Sequence, residues 1–410
     1  MKKTLLSLAL IAASGTAVAG DYYNGRLTGM SGAGYATGGY ADGVIYNPSL
    51  GANFKSGDRF ALVLNGGALL EEEDDLLDGL EDLADYLESL EQRTAADFAG
   101  DIEFDPNDPN RDDIEQQLEA LQQEEADEAK RRLEGVANKT ANVGAGGSFV
   151  LSIPNDWLAM SLVGTARVEA AVTSLVDEND FQLIDDAVGQ TNFDADQLQS
   201  SGIAKGALVG ELGLAMAKSL KTGEDSRLLV GVTPKYVRVT SFIYETDVDD
   251  FDRDAFDADQ YTVDSTDYNV DIGATYISGN MHYALTVSNV FAREYATVDP
   301  AETLEIRARP TTAIGYKNSW FTAEAAVDLR SSPSFSTGRD TQFARVGVEL
   351  NGWNWVQVRA GVQHDLEDNL EDTYSVGVGF SPFNVVNLDI AGFKGDNNAI
   401  GGAVQLGLRF

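Results

Sequence analysis

His282 and His364 are the two histidines of the chain, and so its only side chains whose ordinary pKa lies near neutral pH. Neither stands in a recognisable Ser–His–carboxylate arrangement. His282 falls beside a short turn and His364 near the opposite rim of the predicted strands, so the two are not expected to share a site. Both are expected to be solvated rim histidines. The chain has no cysteine, which removes thiol nucleophiles, thiolate metal sites and disulfides. No catalytic residue, no enzymatic activity and no cofactor is therefore expected.

Seven aspartates crowd one stretch: Asp247, Asp249, Asp250, Asp252, Asp254, Asp257 and Asp259. Hard cations want several carboxylate oxygens. The stretch nevertheless lacks the central glycine and terminal glutamate of an EF-hand. Diffuse association of divalent cations is expected there, without a specific metal site. Gly29, Gly32 and Gly34 do not form a phosphate cradle, because G-x-G-x-x-G is absent and no strand precedes them.

The formal charge is −37. Residues 71–134 carry 25 acidic and 5 basic side chains, residues 173–202 seven acidic and none basic, and residues 245–260 eight acidic and one basic. These three segments hold −34 of the total, so the rest of the chain is nearly neutral. Nucleic acid is excluded as a partner, since binding a phosphate backbone needs clustered basic side chains.

The elements between these segments read as strands. Val356, Val358, Ala360 and Val362 alternate with Gln357, Arg359, Gly361 and Gln363, and residues 268–276, 343–350 and 374–380 repeat the pattern. Period two with one apolar face is a half-buried strand. About fourteen such segments are predicted: near 58–68, 142–153, 157–172, 203–219, 226–242, 266–278, 281–292, 303–317, 319–330, 339–351, 353–364, 371–381, 385–394 and 400–410. Short turns such as Ser278-Gly279-Asn280 and Asn351-Gly352 alternate with longer connections. An even strand count with that alternation is the signature of a transmembrane antiparallel β-barrel of the bacterial outer membrane.

Both ends of the chain agree. Lys2 and Lys3, the apolar run Leu5–Ala13 and Ala17-Val18-Ala19 read as a secretory signal peptide, 1–19. At the other end, Val404, Leu406, Leu408 and Phe410 share one strand face, and the chain closes on an aromatic residue.

Residues 25–50 are rich in glycine, and Asn47-Pro48 marks a turn before the first strand. The run Gly29–Ala36, Asp42 and Tyr46-Asn47-Pro48-Ser49 resembles the N-terminus of the FadL/OmpP1 family of outer-membrane transporters. The long acidic insertion resembles the branch known as conjugal transfer protein TraF. The resemblance implies a fourteen-stranded barrel whose N-terminal plug or hatch, residues 20–57, folds into the lumen of a barrel over 58–410. It implies gating or ligand-binding roles for Gly29, Gly32, Gly34, Asp42, Tyr46, Asn47 and Pro48. The implied ligand is a long-chain fatty acid or another hydrophobic small molecule, with outer-membrane lipids and lipopolysaccharide as surroundings.

Within the acidic insertion, 69–141, Leu76, Leu80, Leu83, Leu87 and Leu90 follow the 4-3-4-3 spacing of an amphipathic helix. Ile114, Leu118 and Leu121 begin a second, and Asp105–Asn110 breaks the chain between them. A helical hairpin on the outer rim is expected. Two functions remain open: passive uptake of hydrophobic molecules gated by the hatch, or a surface-contact role in conjugation or adhesion carried by the acidic helices.

Overall fold

The computed structural model describes residues 23–73, 75–92, 111–187, 195–247, 259–352, 355–370, 372–382, 385–395 and 399–410. The expected signal peptide 1–19, the expected break at 105–110 and most of the aspartate-rich stretch lie outside the described residues.

Fourteen strands close into one antiparallel barrel. They are β1 (Ala61–Glu72), β2 (Thr140–Ile153), β3 (Ala159–Leu175), β4 (Ser201–Lys221), β5 (Ser226–Asp247), β6 (Thr262–Ser278), β7 (Met281–Ser288), β10 (Arg309–Lys317), β11 (Phe321–Asp328), β14 (Phe343–Gly352), β15 (Val356–Asp365), β16 (Thr373–Phe380), β17 (Val386–Gly395) and β18 (Ile400–Arg409). β1 and β18 form the closing ladder, from Ala61 opposite Arg409 to Leu70 opposite Ile400. Two small hairpins stand apart from the wall: β8 (Arg293–Ala296) with β9 (Thr303–Ile306), and β12 (Ser332–Pro333) with β13 (Asp340–Thr341).

The wall is apolar on the outside and polar within. On β15–β18 the outward residues Val358, Val376, Val378, Ile390 and Val404 are all more than half exposed, whereas Arg359, Ser375, Asp389 and Gln405 face inward and are buried. In water that distribution would be unstable. Against hydrocarbon it is the stable one, and closure leaves no unpaired strand edge. Trp157, Trp320, Trp355 and Phe410 project outward beside the short turns and chain end. Tyr236 and Tyr268, packed edge-to-face at 5.7 Å, and Tyr374 form the opposite aromatic belt. The protein is a barrel of the bacterial outer membrane.

Two predicted strands end differently. The strand expected over 281–292 stops at Ser288, because Asn289 takes a positive φ of 54° and leaves the ladder. The strand expected over 303–317 is split. Residues 303–306 pair with 293–296, while the wall strand begins at Arg309, with Pro310 near its start where a missing N–H is tolerated. The resulting hairpin folds inward, and Tyr295 and Leu304 bury against the inner faces of β4 and β5.

β4 and β5 run 21 and 22 residues, against eight for β7 and β11. The tall strands need cover above the lipid belt, and helices supply it. Leu76, Leu80, Leu83, Leu87 and Leu90 of helix Leu76–Gln92 are buried against Ala126, Ala129, Leu133 and Val136 of helix Arg111–Val136 and Ile184 of helix Glu178–Ala187. The same cluster takes in Ala141, Val172, Ala204 and Tyr244 from the outward faces of β2–β5. The helices therefore lean against the outside of the wall.

Candidate functional site

The N-terminal segment from Tyr23 to Asn53 makes a circuit of the lumen. Asn24 caps the short helix Gly25–Thr28 by accepting from Leu27 N at 3.0 Å. Gly32, at φ +79°, supplies the left-handed turn that follows. Asn47 caps the 3-10 helix Pro48–Ala52: its Oδ1 accepts from Ser49 N at 3.0 Å and Ser49 Oγ at 2.7 Å. Pro48 then stands where its missing N–H costs nothing.

The wall makes room for this circuit with glycine. A Cβ on Gly377 of β16 would lie 2.9 Å from Gly29 Cα, and one on Gly361 of β15 would lie 2.4 Å from Met30 C. On the far side, Gly273 of β6 would meet Asn47 Oδ1 at 2.0 Å, and Gly231 of β5 would meet Pro48 C at 2.4 Å. Backbone thus passes backbone at distances that side chains would forbid.

The first half of the circuit is held by charge. Arg26 donates to Asp42 Oδ2 at 3.1 Å and to Glu349 Oε2 at 3.0 Å. Arg359 joins Glu349, at 2.7 Å, to Asp389, at 2.6 Å. Arg409 reaches the other oxygen of Asp42 at 3.1 Å. Burial would raise the Asp42 carboxyl, but the Arg26 and Arg409 guanidiniums, with Lys317, outweigh it and hold the group down at about 2.

Residues 35–37 and 46–49 are held by Asn47 and by the wall side chains Thr275, Glu324 and Lys317. Asn47 Nδ2 donates to Tyr35 O at 2.8 Å and Thr275 Oγ1 at 2.9 Å. Glu324 accepts from the N–H groups of Ala36 and Thr37 at 3.1 and 2.8 Å, and Lys317 donates to Thr37 O at 2.7 Å. Tyr46 packs edge-to-face on Tyr35 with centroids 5.5 Å apart. Gly34 lies against Leu27, whose Cδ2 would stand 2.3 Å from a Cβ there. All seven residues expected at the gate therefore lie in this lumenal circuit.

Above it, the inner wall turns apolar. Ala207, Val209, Val237 and Val239 face Tyr295 and Leu304, with Ile306 and Phe335 alongside. A cavity of about 110 Å³ adjoins this surface, bordered by Arg167, Arg307, Arg309 and Glu169. Below it, Lys235 Nζ lies 3.1 Å from Glu211 and 2.9 Å from Asp271 beside Ile45 of the circuit. The sequence does not show this chamber, because residues 304–307 of its lining read there as wall strand and residues 332–336 as an outer connection. The wall glycines could have been found as glycines on the inward face of the alternation.

The histidines separate as expected, but His282 is not solvated. It is buried, with Nδ1 3.0 Å from Ala36 O, because the circuit covers the inner end of β7. His364 is exposed and pairs with Asp372 at 2.6 Å. Among the described residues no group of three or more acidic or histidine side chains could hold a metal ion.

The sequence matches a family model described as "F plasmid transfer operon, TraF, protein" over residues 44–328, well over half of the chain. The chain belongs to the TraF family. No curated protein matches it. Solved structures similar to this TraF-family chain include a Pseudomonas aeruginosa FadL homologue, 13% identical, covering 97% of this chain and 99% of that one, with a TM-score of 0.49. The P. putida toluene transporter TodX is 11% identical over 95% and 99% of the two chains, with a TM-score of 0.48. Likeness at this level says nothing about ligand or mechanism.

Proposed function

We propose that the barrel carries hydrophobic small molecules, among them long-chain fatty acids, passively across the outer membrane, with residues 20–57 acting as a hatch. The observation that carries this reading is the apolar inner surface of Ala207, Val209, Val237 and Val239 beneath Leu304, Ile306 and Phe335. The lumen of a water-filled barrel is polar; an apolar patch there attracts an apolar solute. The adjoining 110 Å³ is near the scale of a cavity that holds benzene, about 150 Å³. It suits a ring or the end of an acyl chain against Val209, Leu304, Ile306 and Phe335. Onward passage requires the circuit to shift from its seat.

Binding of a fluorescent fatty acid to the purified protein tests the reading. Val209→Asp places a charge in the lining of this cavity and should weaken binding at least tenfold, while the barrel still migrates differently in SDS with and without boiling. Unchanged binding in a folded Val209→Asp barrel overturns it.

The family description and the acidic helices favour a second reading, contact between cells during conjugation. Replacing residues 75–137 with a short turn should then abolish contact and leave fatty-acid binding unchanged.

A further inference from the structure

Asp42 joins the lumenal segment to the strand that closes the barrel. Its Oδ2 accepts from Arg26 of the segment, and its Oδ1 from Arg409 at the end of β18. Arg409 pairs through its backbone with Ala61 of β1, the other side of the closing seam. From Asp42 the charges alternate through Arg26, Glu349, Arg359 and Asp389, so the first half of the circuit hangs on β14, β15, β17 and β18. The seam does not depend on this chain of charges, because the β1–β18 ladder runs from Ala61 to Leu70 on backbone pairing alone. Wall and circuit are thus closed by different interactions that meet at one carboxylate.

Exposure singles out one link. The Asp42 side chain is 1% exposed and that of Arg26 9%, but that of Arg409 is 37% exposed. Arg409 is therefore the partner that can exchange Asp42 for water without first unburying itself. Once it leaves, Asp42 keeps Arg26 as its one direct ion pair, with the Gly39 N–H at 3.3 Å and Lys317 farther off, in a site where a buried carboxylate is costly.

We propose that Asp42 and Arg409 form a clasp that holds the lumenal segment shut against the closing strand, so that releasing this one pair opens the lumen beside β18 while the wall stays closed. The proposal rests on reading the segment as the closure of the lumen. Asp42 is a positioning residue in this scheme and touches no ligand.

The absence of cysteine makes the test clean. Ala41, fully buried beside Asp42, is replaced by cysteine and labelled with a maleimide in lipid vesicles, and ion conductance is recorded in planar bilayers. Asp42→Asn and Arg409→Met should each speed labelling at least tenfold and give an ion current, with the boiling-dependent SDS shift retained. Arg409→Lys, which keeps the charge, should remain within threefold of the parent. Parental labelling in folded Asp42→Asn and Arg409→Met barrels overturns the clasp. So does loss of the SDS shift in both, which would make the pair part of the wall. Fatty-acid binding in the same samples reports separately on the passage reading: clasp variants that leak ions but never bind ligand would sink that reading and spare the clasp.

Discussion

Gly29 of the lumenal segment and Gly377 of the wall cross with no room for a side chain on either: a Cβ on Gly29 would stand 3.0 Å from Gly377 Cα. The contact joins residues near opposite ends of the chain. It shows that the wall is shaped for the segment as much as the segment for the wall.

Filling such a crossing should unseat the segment. Gly361→Val puts a branched side chain where Met30 already lies, and overpacking of this kind costs about 1–3 kcal/mol. Urea unfolding in detergent should show a lower midpoint for Gly361→Val. Gly57→Ala provides no matched control, because Gly57 has φ +109°. Gly210→Ala does, since nothing lies within 4 Å of a Cβ there.

Asn47 ties the Tyr35 end of the circuit to the Pro48 end and to the wall. Asn47→Ala removes the cap of the 3-10 helix and strands the Tyr35 carbonyl, while the Thr275 hydroxyl keeps Ser49 Oγ at 2.8 Å. The expected loss is about 2 kcal/mol or more in the same unfolding measurement. Equal midpoints for parent and variant would show that the remaining contacts hold the segment alone.

Acid should loosen the charged half. Asp42, with Arg26, Arg409 and Lys317 as its cationic neighbours, titrates at about 2, against about 4 in an unfolded chain. A depressed carboxyl stabilises the fold above the unfolded value and ceases to do so as pH falls through the folded one. Its contribution, about 2 kcal/mol, is complete above pH 4 and disappears towards pH 2. The difference in stability between parent and Asp42→Asn should shrink across that window and not between pH 5 and 8.

The helices should unfold without the barrel. Leu83 is fully buried in their shared core, and Leu83→Ala should cost about 2–5 kcal/mol of that core. Proteolysis should then cut within 76–136 while the SDS shift persists. Loss of the shift would mean that the helices support the wall.

Sequence periodicity shows the fourteen strands, the leucine seam at Leu76–Leu90 and the turn at Asn47-Pro48, because each is a property of neighbouring residues. The −37 charge is localised by counting alone. His282 was misread because burial is not a local property: the residue covering it, Ala36, is 246 positions away. The β9 arm of the inner hairpin reads as wall strand in the sequence because Leu304 and Ile306 alternate as wall residues do, and only packing decides whether such a segment joins the wall or folds within it.

Alternation and the placing of charge point by themselves to an outer-membrane barrel whose acidic residues fall between the predicted strands. The tertiary structure alone decides that Asp42 meets Arg409 across 367 positions, that Gly29 crosses Gly377, and that an apolar chamber lies above them. Those contacts depend on closure of the barrel, which brings the first and last strands together, and no periodic pattern in the chain records it.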